Sequence, residues 1–259
     1  MSEATNQETA GGASPARTAP NHLRRATILW LVLSAVGIVI WLPLAQFVLP
    51  TTITDEGVFD NITIVVFTAL AIPVALFVYV FLAYSLFAFR TKGRPTRAGP
   101  ALLPGPGIQI GWLAITSLLC LFLLIWGMFG LYQQTNAATP DTLVVNVTGQ
   151  QWLWTFTYPQ EGVSSQGQVL VLPVNRPVQF FVTSKDVLHG FSIQALGVRV
   201  DANPGQTTTT PVVTPTQIGD YPVACVELCG LYHTYMWATV KVVSQQDFQS
   251  WLNSLGANP

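Results

Sequence analysis

Charge is what this sequence has least of. Eleven Lys and Arg and twelve Asp and Glu make up 9% of its 259 residues, and half of the residues are hydrophobic. An ordinary soluble domain carries about 25% charged residues, so the imbalance excludes a simple soluble globule and points to lipid. Three apolar runs, each without a charged residue, stand out: Thr27 to Leu49, Ile62 to Phe89 and Ile108 to Tyr132. Each exceeds the roughly 20 residues that a helix needs to cross a bilayer. Buried helices of a large soluble protein are no substitute, because nothing in the remaining chain could cover so much apolar surface. Pro43 and Pro73 are expected to kink the first two helices, which membrane helices tolerate. No internal repeat is visible, and no nucleic-acid partner is expected.

The few basic residues orient the chain. Arg17, Arg24 and Arg25 precede the first apolar run, and Arg90, Lys92, Arg94 and Arg97 lie between the second and third. The loop between the first and second holds Asp55, Glu56 and Asp60 and no basic residue. Lys and Arg stay on the cytoplasmic side of short loops, which puts the amino terminus inside and everything after Tyr132 outside. A multi-pass protein of the cell membrane follows, with residues 1–25 as a disordered cytoplasmic tail containing an idle His22. Residues 26–135 form a transmembrane region with helices at about 27–49, 62–89 and 108–132. The first run follows Arg24 and Arg25 as a signal peptide would. It is longer than a signal's core of about 7 to 15 residues, and Leu44-Ala45-Gln46 is a poor cleavage site, so we read it as a retained anchor. Gly93 to Gly107, with four prolines at 95, 100, 104 and 106, reads as a stiff loop, and Gln133 to Pro140 as a polar linker.

From Asp141 onward the pattern changes. Thr142–Thr148, Trp152–Tyr158, Gln168–Leu172, Val178–Thr183, Phe191–Ala195, Thr207–Val213, Gly219–Cys225 and Trp237–Val243 read as strands, rich in Val, Thr and aromatic residues and separated by Pro, Gly or Asn. Residues 136–259 are therefore expected to form a β-sandwich or Greek-key barrel. A short helix closes it, capped by Ser244 with Asp247 and stopped at Gly256, with Phe248, Trp251, Leu252 and Leu255 on one face. The whole is an α+β membrane protein: helices first, then an extracytoplasmic β domain.

Cysteine, histidine and methionine are scarce too, three of each, yet one short segment concentrates them: Cys225-Val-Glu227-Leu-Cys229-Gly-Leu-Tyr-His233-Thr-Tyr-Met236. Three chemistries compete for the two thiols. The extracytoplasmic side permits a disulfide, which would leave His233 and Met236 unexplained. Structural zinc uses Cys and His but has no use for Met236. Soft thiolates with imidazole and a weak thioether favour copper and electron transfer. Upstream, Asp186-Val-Leu-His189-Gly-Phe supplies the one remaining imidazole once the tail's His22 is set aside. Two cysteines exceed what one blue-copper ion needs. Two thiolates on one loop can bridge two metals, with His189 and His233 each completing one. Such a pair changes geometry little on reduction, which suits a relay and not a site where substrates react.

At these residues the chain resembles the CuA-bearing subunit II of cytochrome c oxidase, over nearly everything after Ile62. The family's loop has Cys, Glu, Cys, His and Met at the spacing of Cys225, Glu227, Cys229, His233 and Met236, and its upstream His matches His189. Leu196-Gly-Val-Arg-Val-Asp201-Ala-Asn-Pro204-Gly205 looks like the family's stretch between the ligands. The resemblance implies a cupredoxin-like Greek-key β-barrel holding binuclear copper (CuA). In it Cys225 and Cys229 bridge, His189 and His233 are terminal ligands, Met236 is a weak axial donor and Glu227 gives its backbone carbonyl. It also implies a magnesium ion on the Glu227 side chain at the boundary with subunit I. Trp152, in Gly149-Gln-Gln-Trp-Leu-Trp, is similar to the family's aromatic patch for electron input; alternatively Trp152, like Trp154, is core. The implied partners are the haem-copper subunit I, other oxidase subunits, and cytochrome c or a small copper protein as donor. The implied activity is that of cytochrome-c oxidase, a proton-translocating terminal oxidase reducing oxygen to water, to which this chain supplies electrons. It holds no haem ligand set or oxygen site of its own and hence no catalytic residue.

Departures from the family are expected to matter. There are three apolar runs where two are usual. Gln109 precedes Trp112 where the family places a proton-accepting carboxylate, and the usual Thr and Pro after that Trp are missing. Cys120, in the third run, reads as a packing residue. The outer carboxylates Asp141, Glu161, Asp186, Asp201, Asp220, Glu227 and Asp247 outnumber Arg176, Lys185, Arg199 and Lys241, a mild acidic excess that would steer a basic donor if clustered. Two rival readings are the same relay in a nitric oxide reductase and a membrane-tethered copper chaperone or scaffold. The chain lacks room for the second domain of nitrous oxide reductase, and quinol oxidases lack the copper ligands present here.

Overall fold

The computed structural model describes residues 21–90, 93, 105–133, 138–166 and 168–256. Most of the expected tail (1–20), most of the stiff loop (94–104) and half of the linker (134–137) lie outside the described residues.

Three helices come first: α1 (His22–Val48), α2 (Asp55–Ala88) and α3 (Pro106–Gln133). All are long and apolar enough to cross a membrane, and almost none of their surface is buried within the protein. Each starts before its apolar run, because capping decides a helix start and hydropathy does not. Asn21 Oδ1 accepts from Arg24 N at 3.1 Å, an N-cap on α1. His22 is therefore the first residue of a helix, a correction to its reading as part of a tail, and its Nδ1 lies 3.1 Å from Tyr84 Oη. Thr54 caps α2, its hydroxyl accepting from Gly57 N at 3.0 Å. Pro106 occupies the first turn of α3, where its missing N–H costs nothing. Pro43 and Pro73 lie inside continuous helices.

The chain divides into two compact units. One joins residues 1–40 to 69–95, and the other holds the remainder. In the first, Trp30 Nε1 donates to Pro73 O at 2.8 Å. In the second, Trp41 Nε1 donates to Val65 O at 3.0 Å and Trp126 Nε1 to Thr63 Oγ1 at 3.0 Å.

The second unit also contains the β domain. Its strands are β1 (Leu143–Gln150), β2 (Leu153–Tyr158), β3 (Val163–Gln166), β4 (Val169–Pro173), β5 (Val178–Ser184), β6 (His189–Ile193), β7 (Val198–Ala202), β8 (Thr208–Thr209), β9 (Gly219–Cys225) and β10 (Trp237–Val243). They form two five-stranded sheets, ordered β3-β2-β1-β5-β8 and β4-β10-β9-β6-β7. Among the described strands, β1 with β5 and β10 with β4 pair in parallel, and the other pairs are antiparallel. This is the Greek-key arrangement expected from the strand spacing, and the cupredoxin-like form of it that the resemblance implies. Apolar residues alternate along β1 and β5 and meet those of the other sheet, so Val145, Val147, Phe156, Phe180 and Val182 share a core with Phe191, Ile193, Val223 and Val240. The helix α4 (Gln245–Ser254) covers one end, burying Phe248 and Leu252 beside Tyr158. Ser244 Oγ caps it by accepting from Asp247 N at 3.1 Å.

Two strand assignments change and two strands are added. The Phe191–Ala195 strand starts at His189 and gives way at Gln194 to a 3-10 turn. The Thr207–Val213 strand shrinks to Thr208–Thr209, with Val213 making an isolated bridge to Val178; Pro211 interrupts the ladder because it has no N–H to donate. β3 and β7 were not expected as strands.

The link between α1 and α2 is part of the β domain. Ile53 is 2% exposed and belongs to the core. Its N–H donates to Ala195 O at 2.8 Å, and its carbonyl accepts from Thr216 N at 2.9 Å and Thr216 Oγ1 at 2.8 Å. Thr54 Oγ1 donates to Leu196 O at 3.0 Å. A membrane-proximal link thus plugs into the turn that follows β6, the strand that carries His189. Ile53→Ala is expected to lower the stability of the full chain in detergent by about 2–4 kcal/mol. Chemical denaturation followed by tryptophan fluorescence measures it, and an unchanged midpoint would show the plug to be idle.

Candidate metal centre

β6 and β9 are neighbours, with Phe191 opposite Cys225. That register sets His189, the first residue of β6, beside Cys225, the last of β9. The two strands approach so closely there that a Cβ on Gly190 would stand 2.7 Å from Val226 Cγ2 and 2.9 Å from Glu227 N. From Cys225 the chain loops out and returns at Met236, where Cys225 N donates to Met236 O at 3.1 Å and closes the loop. A 3-10 turn at His233–Tyr235 folds His233 back towards Cys229.

The loop gathers the expected donors. Cys225 Sγ lies 3.7 Å from Cys229 Sγ, 3.9 Å from His189 Nδ1 and 3.3 Å from the Glu227 carbonyl oxygen. Cys229 Sγ lies 3.5 Å from His233 Nδ1 and 3.8 Å from Met236 Sδ. His189, Cys225 and Cys229 each present a ligand atom within 4.8 Å of the others. His189 and Met236 are fully buried, the cysteines nearly so, and both thiols are free. All six residues expected as ligands come together.

Asp186 sets the state of His189. Burial is the strongest single influence on its carboxyl and raises its pKa. Bonds from Gln151 N, His189 and Val187 N together overcome burial and hold the group at about 2. An ionised carboxylate only accepts, so the His189 Nε2 that lies 2.9 Å from Asp186 Oδ1 carries the proton. Nδ1 is the ring nitrogen that faces Cys225, the arrangement of a metal-binding imidazole oriented by an outer carboxylate. The thiols lack any such help. Burial first, then the neighbouring Cys225 thiol, pushes Cys229 up to about 12. A coordinated cation would oppose that rise, because it favours the thiolate it binds. The donor set fits copper: sulfur and imidazole with a thioether in reach.

Trp152 is half-buried near the loop, its ring edge-on to Tyr232 at 4.8 Å. Trp154 is fully buried against His189 at 5.9 Å and Phe191 at 5.3 Å, a core residue. The Glu227 carboxylate lies 3.6 Å from Arg199. Sequence reasoning missed the bond from Asp186 to His189, the pairing of Arg199 with Glu227, and any part for Gln151. Only Asp186 left a signal, an acidic residue one turn ahead of the upstream His.

Residues 161–243 match the family model described as cytochrome C oxidase subunit II, periplasmic domain. Cytochrome c oxidase subunit 2 of Thermostichus vulcanus is 41% identical over 122 residues, 47% of this chain and 36% of that protein. The probable cytochrome c oxidase subunit 2 of Rickettsia prowazekii (strain Madrid E) is 29% identical over 216 residues, 75% of this chain and 66% of that protein. The chain thus spans between about a third and two thirds of these two curated relatives' lengths. Among solved structures, the periplasmic domain of subunit II of cytochrome oxidase from Bradyrhizobium japonicum aligns with a TM-score of 0.43 and 30% identity, covering 46% of this chain and 97% of that one. With three helices long enough to cross a membrane, its cupredoxin-like domain and its cluster of soft donors, the chain is similar to the cytochrome c oxidase subunit II family, whose periplasmic-domain model residues 161–243 match.

Proposed function

We propose that this chain receives electrons for a haem-copper terminal oxidase. It takes them from cytochrome c or a small copper protein at a binuclear copper centre and passes them to haem in subunit I, where oxygen is reduced to water. The carrying observation is the convergence of two free thiols on two imidazoles, a thioether and a backbone carbonyl. One tetrahedral zinc would leave two of these six donors unused. When bound, a copper pair accepts and gives up one electron at a time with little change of shape.

The chain's own residues prepare that exchange. Cys225 and Cys229 would bridge, with His189 and His233 as outer ligands, Met236 as the weak donor and the Glu227 carbonyl completing the set. Asp186 accepts from His189 Nε2 and so turns Nδ1 towards Cys225, and Phe191 and Trp154 keep water from the inner side. The Glu227 carboxylate, 3.6 Å from Arg199, is the donor offered to a hard cation such as magnesium at the boundary with subunit I, in exchange for Arg199. On the outer side Leu228, Leu231, Tyr232 and Tyr235 are exposed around the loop, an apolar rim of the kind that marks a protein contact. Trp152 lies behind Tyr232 and offers an aromatic path inward. The copper domain is read as extracytoplasmic from the basic residues at the start of α1 and after α2. The indole bonds from α1 to α2 support α1 as a retained third membrane helix.

The test is stopped-flow mixing of the assembled complex with reduced cytochrome c. The copper centre is expected to be reduced before haem, and haem reduced first would overturn the proposal. Trp152→Leu is expected to slow reduction at least about tenfold, equivalent to about 1.4 kcal/mol on the barrier, with copper content intact. An unchanged rate removes Trp152 from the path.

A further inference from the structure

The corner between β1 and β2 carries a side chain that neither the ligand set nor the electron path uses. Gln151 is exposed there, yet its amide reaches the metal loop, where Nε2 donates to Cys229 O at 2.7 Å. Its backbone N–H donates to Asp186 Oδ2 at 2.8 Å. The other oxygen of that carboxylate accepts from His189 Nε2 at 2.9 Å. One residue therefore joins the loop of Cys229 and His233 to the segment that carries His189.

A separate feature shows that the contact is built in. The residue after Cys229 is Gly230, at φ +119, a conformation that residues with a side chain rarely adopt. A Cβ there would stand 2.9 Å from Gln151 Nε2 and 3.4 Å from the Trp152 ring. The loop is stripped of a side chain where one would displace the amide.

We propose that Gln151 is a positioning residue for the metal centre, a clamp that holds its two halves at one spacing. This rests on the copper-pair reading of the site. The Cys229 carbonyl lies on the short stretch between Cys229 and His233, and pinning it fixes the peptide from which the sulfur projects. Asp186 fixes the imidazole ring on the other side. Because the bond to Asp186 comes from the backbone, changing the side chain at 151 releases only the cysteine loop and leaves His189 oriented.

The experiment uses the full chain in detergent, loaded with copper. Gln151→Leu removes the amide at similar volume, and Gln151→Asn keeps the amide but shortens its reach by one methylene. In both, transfer of copper to an added chelator is expected to run about 10–100-fold faster, the usual effect of losing an outer partner of a metal ligand. The paramagnetic spectrum should also change, while the unfolding midpoint of the metal-free chain stays that of the parent. If the parent chain binds no copper pair, the reading beneath fails first. If it does, and both variants keep the parental release rate and spectrum, the clamp is overturned. A fall in the metal-free midpoint that accounts for the faster release overturns it equally, because the role would then be structural.

Discussion

If the proposed relay holds, a Cys229→Ser chain folds, binds no copper pair, and passes electrons to the oxidase's haem subunit at least about 100-fold more slowly than the parent. The floor comes from outer partners, whose loss alone costs about 10–100-fold in metal affinity or activity; a direct bridging ligand must cost more. Cys229 is the right residue for this test because its sulfur touches most of the site: the other thiol, the His233 ring and the Met236 thioether. A serine hydroxyl is harder, binds copper poorly, and does not ionise near neutral pH. It fits the same space, so the strands around it need not move. Metal analysis and paramagnetic resonance of the purified chain measure the outcome. Two coppers retained on Cys229→Ser would remove the cysteine from the bridge.

Phe191→Ala is expected to cost about 3–5 kcal/mol, the range for truncating a buried aromatic, out of a total that is only about 5–15 kcal/mol for a native domain. Phe191 is fully buried, with ring centres 5.3 Å from Trp154 and 5.6 Å from Phe180. It also stands opposite Cys225 in the β6–β9 ladder, so a cavity here loosens the strand end that carries a ligand. Phe248→Ala supplies the contrast. That ring is equally buried, but beneath α4 and beside Tyr158, at the end of β2 away from Trp152. Both variants should lower the denaturation midpoint by similar amounts, and only Phe191→Ala should also weaken copper retention. Equal copper loss from both would mean that retention follows overall stability and not the β6–β9 contact.

The soft-donor loop was legible because its residues are rare and sit at fixed spacing on one loop, where scarcity itself carries information. His189 was legible for the same reason, being the one remaining imidazole once His22 is set aside. The strands that build the sheets showed through their branched and aromatic residues, and α4 through its cap and its single apolar face. What stayed hidden depends on distance in space. Gln151 is an ordinary polar residue at a strand corner, and only the fold brings its amide to Cys229. Ile53 is one apolar residue between threonines, with no period to mark it, and its partners Ala195 and Thr216 are remote in the chain. Val198–Ala202 carries Arg199 and Asp201 among its five residues, so its alternation looked like a connecting stretch until β6 appeared beside it. Helix starts were misplaced at His22 and Asp55 because Asn21 and Thr54 act through single side-chain bonds that hydropathy does not register.

One measurement bears most directly on the chemistry assigned to Cys225 and Cys229: metal analysis and paramagnetic resonance on the same sample of full-length chain, purified in detergent and loaded with copper. Two coppers per chain and one unpaired electron spread evenly over both nuclei are expected. One copper per chain, an electron confined to a single nucleus, or zinc held in its place would contradict the bridge and the electron-relay function built on it.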